Sequence, residues 1–248
     1  MKHKPTHMIV VGASSGLGQC VAEAFADMGV QVAIAARSAD KLRDIASRHP
    51  GMVYRTLDVT DSHAVDDLHA LIEANGGMDT LFISAGCGWN DPTLNPEREA
   101  RTVDVNAVGF TRIAEAGFHW FRDNGIRGHL CAITSIAGVK GMGTSATYSA
   151  TKRYQWTLLQ ALDQLSAMQG LGIRITDIRP GFVDTPLLNT ATSRYPMTMT
   201  VGHAGRAIVR AVLRGRRVAV IDGRWAVVTA LWRRIPNWLW RRLKIVKG

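Results

Sequence analysis

Tyr148 and Lys152 stand four residues apart in a stretch with helical character, Tyr148–Met168, so their side chains share one helix face. A free phenol has a pKa of about 10 and is a poor base at neutral pH. An ammonium on the same face would favour the phenolate and draw that value toward the working range of an acid/base. Ser135 follows a strand-like run, His129–Thr134, and open α/β sheets bind ligands at the carboxyl ends of their strands. Its hydroxyl would hold a substrate oxygen against Tyr148 and stabilise charge developing there. The chemistry implied is proton exchange with an oxygen. A Tyr-x-x-x-Lys spacing alone is common on helices and equally suits a solvated face.

A second group suits phosphates. Gly12-Ala13-Ser14-Ser15-Gly16-Leu17-Gly18 leaves one apolar run, His7–Val11, and opens a helical pattern over Leu17–Met28. Glycines there permit a tight turn and close backbone approach, and a helix N-terminus offers free N–H groups and a favourable dipole. A glycine-rich turn by itself is also an ordinary structural turn. Ala35-Ala36-Arg37-Ser38 ends the next apolar run. Arg37 carries a planar fork that matches a phosphate, and Ser38 adds a hydroxyl; the alternative is a solvated surface arginine.

The elements that must carry these residues alternate. Strands are expected at His7–Val11, Val30–Ala36, Met52–Leu57, Thr80–Ser84, His129–Thr134, Ile173–Ile178 and Arg217–Ile221. Helices are expected at Leu17–Met28, Ala39–Arg48, Ser62–Ala74 capped by Asp61, Pro96–Asp123, Tyr148–Met168 and His203–Leu213. Such alternation predicts an α/β fold, a Rossmann-like doubly wound parallel sheet flanked by helices, as a single domain over 1–223. A basic, Trp-rich tail follows over 224–248.

These motifs are collinear with those of the classical short-chain dehydrogenase/reductase family, which the chain resembles over about residues 7–222. The turn resembles that family's GxxxGxG loop. Asp58-Val59 follows the third strand, where the family has an adenine-contacting Asp. Ser84-Ala85-Gly86 stands where the family has Asn-Ala-Gly, so Ser84 departs from the pattern. Asn106 lies in Asn106-Ala107-Val108-Gly109, and Pro180-Gly181-Phe182-Val183-Asp184-Thr185 follows the sixth strand. The resemblance implies an NAD(P)-dependent oxidoreductase with Asn106, Ser135, Tyr148 and Lys152 as catalytic residues. Asn106 would hold a water linking Lys152 to solvent, and Lys152 would also bond the nicotinamide ribose. Gly12, Ser14, Ser15, Gly16, Leu17, Gly18, Arg37, Ser38, Asp58, Val59, Ser84, Ala85, Gly86, Tyr148, Lys152, Pro180, Gly181, Val183 and Thr185 would bind the cofactor. Members that prefer NAD carry an acid where Arg37 stands, so NADP(H) is expected to be preferred, with NAD(H) left open. The region Pro186–Met199 corresponds to a substrate lid, and its Leu187, Leu188, Tyr195, Met197 and Met199 hint at a hydrophobic carbonyl or alcohol. Trp89 and Met142 are further candidate pocket residues, and Cys87 is either reactive or an inert packed thiol. A catalytically silent NADP-binding sensor or scaffold of the same fold is the alternative, although such relatives typically lose the Tyr or Lys. A homodimer or homotetramer paired through the helices starting near Pro96 and Tyr148 is also implied.

Net charge is +10, yet seven Lys/Arg and no acid fall within Arg224–Gly248, leaving 23 basic against 20 acidic residues elsewhere. The charge is therefore a terminal feature, and no nucleic-acid motif accompanies it, which argues against nucleic acid as partner. In the tail, Trp225–Trp232 is almost wholly apolar and Pro236 would start a second helix with Ile235, Leu239, Leu243 and Val246 on one face. Arg241, Arg242, Lys244 and Lys247 lie off that stripe. The pattern reads as a helix in an anionic membrane interface or as a contact with a neighbouring subunit. Three cysteines without metal spacing, a short polar N-terminus and no long apolar run are read as a cytoplasmic chain without a metal site, peripheral at the inner membrane face if the tail binds lipid.

Overall fold

The computed structural model describes residues 4–188 and 195–243. At its centre is β1 (His7–Val11), in which Met8 to Val11 are shut off from solvent. A strand covered on both faces needs a continuous apolar run, and this segment has one. Met8 and Val10 face one helix layer, Ile9 and Val11 the other. Around it lie β2 (Gln31–Ala36), β3 (Val53–Thr56), β4 (Thr80–Ile83), β5 (His129–Ile133), β6 (Arg174–Pro180) and β7 (Val218–Ile221). Every pairing is parallel, in the order β3-β2-β1-β4-β5-β6-β7. Helices α1 (Gly16–Asp27), α2 (Ala39–Ser47) and α7 (Val201–Leu213) pack on one face. On the other lie α3 (Ala64–Ala74), α5 (Phe110–Asp123) and α6 (Ala146–Met168), with α4 (Pro96–Val103) leading into α5. This is the expected doubly wound, Rossmann-like single domain. The chain switches sides between β1 and β4, which opens a crevice at the carboxyl ends of those strands.

Two elements depart from expectation. Helix α3 begins at Ala64 with His63 as its N-cap and no side-chain cap bond; the Asp61 carboxylate instead accepts from His63 N at 2.9 Å, closing a turn before the helix. The long helix expected over Pro96–Asp123 is interrupted by a π turn, Asp104–Gly109. Packing against the loop after β3 accompanies this widening. A Cβ on Gly109 would come within 2.6 Å of Val59 Cγ2, and Arg112 Nη1 donates to Val59 O at 2.7 Å.

After β7 the chain forms α8 (Gly223–Arg234) and a single turn, α9 (Asn237–Trp240). Pro236 is the N-cap of that turn rather than its first residue, and Lys244, Val246 and Lys247 lie outside the described residues. Three of the tail's four indoles turn inward. Trp225, Trp232 and Trp240 form an edge-to-face series with centroids 6.1 and 5.6 Å apart. Trp240 Nε1 donates to Gly141 O, and Lys140 Nζ donates to Ile235 O and Asn237 Oδ1. Val227, Leu231 and Trp238 face outward and are exposed. No helix of the described residues is long and apolar enough to cross a membrane.

Candidate active site

Two cavities meet at the carboxyl ends of the strands. The larger, about 550 Å³, runs past β1, β2 and β4 over the turn Gly12–Leu17. Gly12 has a φ of 91°, and a Cβ there would lie 2.3 Å from Ala85 N, so only glycine lets the loops after β1 and β4 meet. Ser84 N and Ala85 N both donate to Val11 O, which ties those loops together. Gly18 does not line the cavity; a Cβ on it would meet Gly12 O at 2.2 Å, so it lets α1 start hard against the turn. Ser15 caps α1 without a side-chain bond, and the first turn carries no acid. The leading N–H groups of α1 are thereby open to an anion.

Arg37, Ser38 and Lys41 stand at the β2 end of this cavity, and Asp58, Val59, Ser84, Ala85, Gly86 and Cys87 form its other wall. Arg101, from α4, reaches the same wall. Its guanidinium donates to Asp58 Oδ2 at 3.2 Å, while Thr60 N and Oγ1 donate to Asp58 Oδ1. Burial pushes the Asp58 carboxyl up, but these bonds outweigh it and hold its pKa below the ordinary value. Burial also pushes the Cys87 thiol up, which suits an inert packed thiol. The set fits a long anionic ligand with a phosphate near Arg37 and Lys41.

The smaller cavity, about 170 Å³, is lined by Ser135, Tyr148, Lys152, Pro180, Gly181, Val183 and Thr185. Leu17, Ser84, Gly86, Trp89, Thr185 and Leu187 line both cavities, so the two are joined. Its remaining wall is largely apolar, with Ile136, Met142, Phe182, Leu188 and Tyr195. Ser135 sits just beyond β5 in extended conformation; its Oγ accepts from Ala137 N at 3.0 Å, and it lines the same cavity as Tyr148. Behind it Thr134 donates to Asp177 Oδ1 at 2.6 Å and accepts from Trp156 Nε1, which holds the strand end in place. The ring of Tyr148 rests on Gly88, where a Cβ would lie 2.2 Å from Tyr148 Cδ2.

The electrostatics differ from the sequence expectation. Burial pushes the Tyr148 phenol above its ordinary value, opposed in part by the Ser135 hydroxyl and reinforced by Cys87. Lys152, whose Nζ lies 5.6 Å from the phenol ring centroid, is itself pushed down to about 8 by burial, against Cys87 and Asp177, which favour its charge. Desolvation acts on both groups in the direction of their neutral forms.

Asn106 is fully buried and lines neither cavity. Its Oδ1 accepts from Cys87 N, and its Nδ2 donates to Cys87 O and Thr151 Oγ1. Its main-chain oxygen accepts from Gln155 Nε2 at 2.9 Å, and Gln155 Oε1 accepts from Lys152 Nζ at 3.0 Å. The Gln155 carboxamide thus links the Asn106 main-chain oxygen to Lys152. Apart from Asn106 and Gly18, every residue expected to act in catalysis or hold the cofactor lines one or both cavities, whereas Met197 and Met199 of the expected lid line neither. The sequence reading missed Lys41, Arg101, Asn90 and Gln155. Gln155 had a signal, since it stands three residues after Lys152 on one helix.

The chain matches the family model described as short chain dehydrogenase over residues 6–196. An uncharacterized oxidoreductase of Myxococcus xanthus is 32% identical over 238 residues, which covers 92% of each chain. Among solved structures, a short chain dehydrogenase from Burkholderia cenocepacia in complex with NADP superposes with a TM-score of 0.81 at 20% identity, covering 100% of both chains. One from Sphingobium yanoikuyae in complex with NADPH gives 0.78 at 23% identity, covering 94% of this chain and 97% of that one.

Proposed function

This chain belongs to the short-chain dehydrogenase family, and from that premise we propose that it is an NADPH-dependent reductase of a hydrophobic carbonyl compound, with Tyr148 as proton donor. The observation that carries the proposal is the meeting of Ser135, Tyr148 and Lys152 in one apolar-walled cavity that joins a larger one suited to an anionic dinucleotide. The cofactor, when bound, supplies hydride to the carbonyl carbon. The open N–H groups of α1, with Ser14 and Ser15, would hold its pyrophosphate, and Arg37, Ser38 and Lys41 a ribose 2′-phosphate. The two solved relatives hold NADP and NADPH, which supports this choice; NAD(H) remains the comparison cofactor for the test. Val183 and Thr185 would stand at the nicotinamide end beside Pro180 and Gly181.

Ser135 donates to the substrate oxygen and holds it beside the phenol. Tyr148 gives its proton to that oxygen as charge develops there. Burial disfavours the phenolate, so the phenol carries the proton it would donate. The Lys152 ammonium stabilises the phenolate left behind. Asn106 pins the loop at Cys87 to the π turn. Trp89, Met142, Phe182 and Leu188 exclude water and select apolar substrates.

The test is NADPH fluorescence on binding, then NADPH consumption against steroid, quinone, acyl and sugar-derived carbonyls. Binding and consumption with an apolar carbonyl are expected. Binding without consumption across the panel would favour a cofactor-dependent sensor.

Two surfaces extend the reading. Val108, Tyr154 and Met168 are exposed on the α4–α5 and α6 segments, which supports self-association through them as a dimer or tetramer. On the tail, Val227, Leu231 and Trp238 face outward among Arg234, Arg241 and Arg242, which supports docking of a cytoplasmic protein on an anionic membrane face. Salt-sensitive sedimentation with anionic liposomes, lost in Leu231→Glu, is the expected outcome; a change in oligomeric mass instead would assign the ridge to a neighbouring subunit.

A further inference from the structure

Gln155 occupies a place that none of the motifs singles out. It is fully buried on α6, three residues after Lys152, and faces the π turn between α4 and α5. Its amide has one workable orientation. The Lys152 ammonium has only donors, so Oε1 must face it, and Nε2 then donates to the Asn106 carbonyl. We propose that Gln155 is a positioning residue whose carboxamide pins the Lys152 ammonium to the Asn106 carbonyl, holding the lysine beside Tyr148 without adding a charge.

Lys152 has few other tethers. Its Nζ donates to Ile133 O at 3.4 Å, a long bond, and the 3.0 Å bond to Gln155 is the shorter of the two. The groups around it come from three elements: Tyr148 on its own helix, Cys87 in the loop after β4, and Asp177 on β6. Of these, Asp177 is the carboxylate, and Arg179 Nε donates to it at 2.7 Å. Gln155 is therefore the neutral acceptor that retains the ammonium in a buried site, where the lysine titrates at about 8. A methionine there would keep the length and lose both bonds, leaving Asn106 O without that donor. A glutamate would keep an acceptor for the ammonium and add a charge.

The inference rests on the reading of Lys152 as the partner of Tyr148, but its test needs no turnover. The readout is the Cε shift of ¹³C-labelled lysine against pH in the full chain, with the Lys152 signal assigned by its loss in Lys152→Met. For the wild type a midpoint near 8 is expected. In Gln155→Met the midpoint falls by about one unit, because the charged form loses an acceptor; in Gln155→Glu it rises by about one unit or more. NADPH affinity, read by fluorescence, weakens in Gln155→Met. Loss of packing alone would not move the two midpoints in opposite directions. Equal midpoints in all three proteins, or shifts of the same sign, would overturn the proposal. If the methionine variant does not fold, the absence of a rise in Gln155→Glu does so alone. Failure of the proposed reaction would instead appear as turnover surviving in Tyr148→Phe.

Discussion

The indole of Trp225 lies so close to Gly181 that a Cβ on the glycine would come within 2.2 Å of Trp225 Nε1. Trp225 is 1% exposed, and its ring also meets Phe182 edge-on at 5.4 Å, so the first helix of the tail backs the wall of the smaller cavity. Trp225→Ala is expected to lower stability by about 3–5 kcal/mol in denaturant unfolding, as for other buried aromatic truncations. Gly181→Ala should force the indole aside and raise the KM for carbonyl substrates with less effect on NADPH binding. Unchanged stability in the tryptophan variant would refute this account of the tail.

Tyr148→Phe keeps the ring over Gly88 and removes the transferable proton. Turnover should drop by about two to four decades, the usual contribution of a positioned acid. NADPH binding, read by fluorescence, should stay nearly unchanged. Near-normal turnover in this variant would sink the assignment of the acid.

Arg37→Asp replaces attraction by repulsion at the β2 end of the larger cavity. A charge-assisted bond contributes about 1.5–3 kcal/mol, so NADPH affinity should fall by about one to two decades while NADH is unchanged or improved. A wild type that already prefers NADH in a binding titration would show that Arg37 and Lys41 do not read a phosphate.

Lys152 has a folded pKa of about 8 against an ordinary 10.5, so the unfolded chain binds its proton more readily. The contribution of this group to stability is complete above about pH 10.5 and is lost as pH falls to about 8. Relative to Lys152→Met, the wild type should therefore gain stability as pH rises through that window, read by thermal melts at a series of pH values. A stability difference that stays flat from pH 7 to 11 would contradict the buried ammonium.

The residues that meet at the two cavities were largely legible in the chain itself. The turn Gly12–Gly18, the Tyr148–Lys152 spacing, Ser135 at a strand end and the βα alternation are all local or periodic signals. A parallel sheet converts such signals directly into place, because it gathers its strand ends on one side. What those residues experience was decided by packing. Spacing predicted that Lys152 would lower the Tyr148 pKa, whereas burial raises the phenol and lowers the lysine. The partner of Asp58 is Arg101, 43 positions away, and the π turn that presents Asn106 O to Gln155 packs Gly109 against Val59. The tail shows the same division. Its basic, aromatic composition could be read from the sequence, but its inward face became visible only once Trp225 had a glycine to lie on, since desolvation and long-range contact belong to the folded chain and not to any window of sequence.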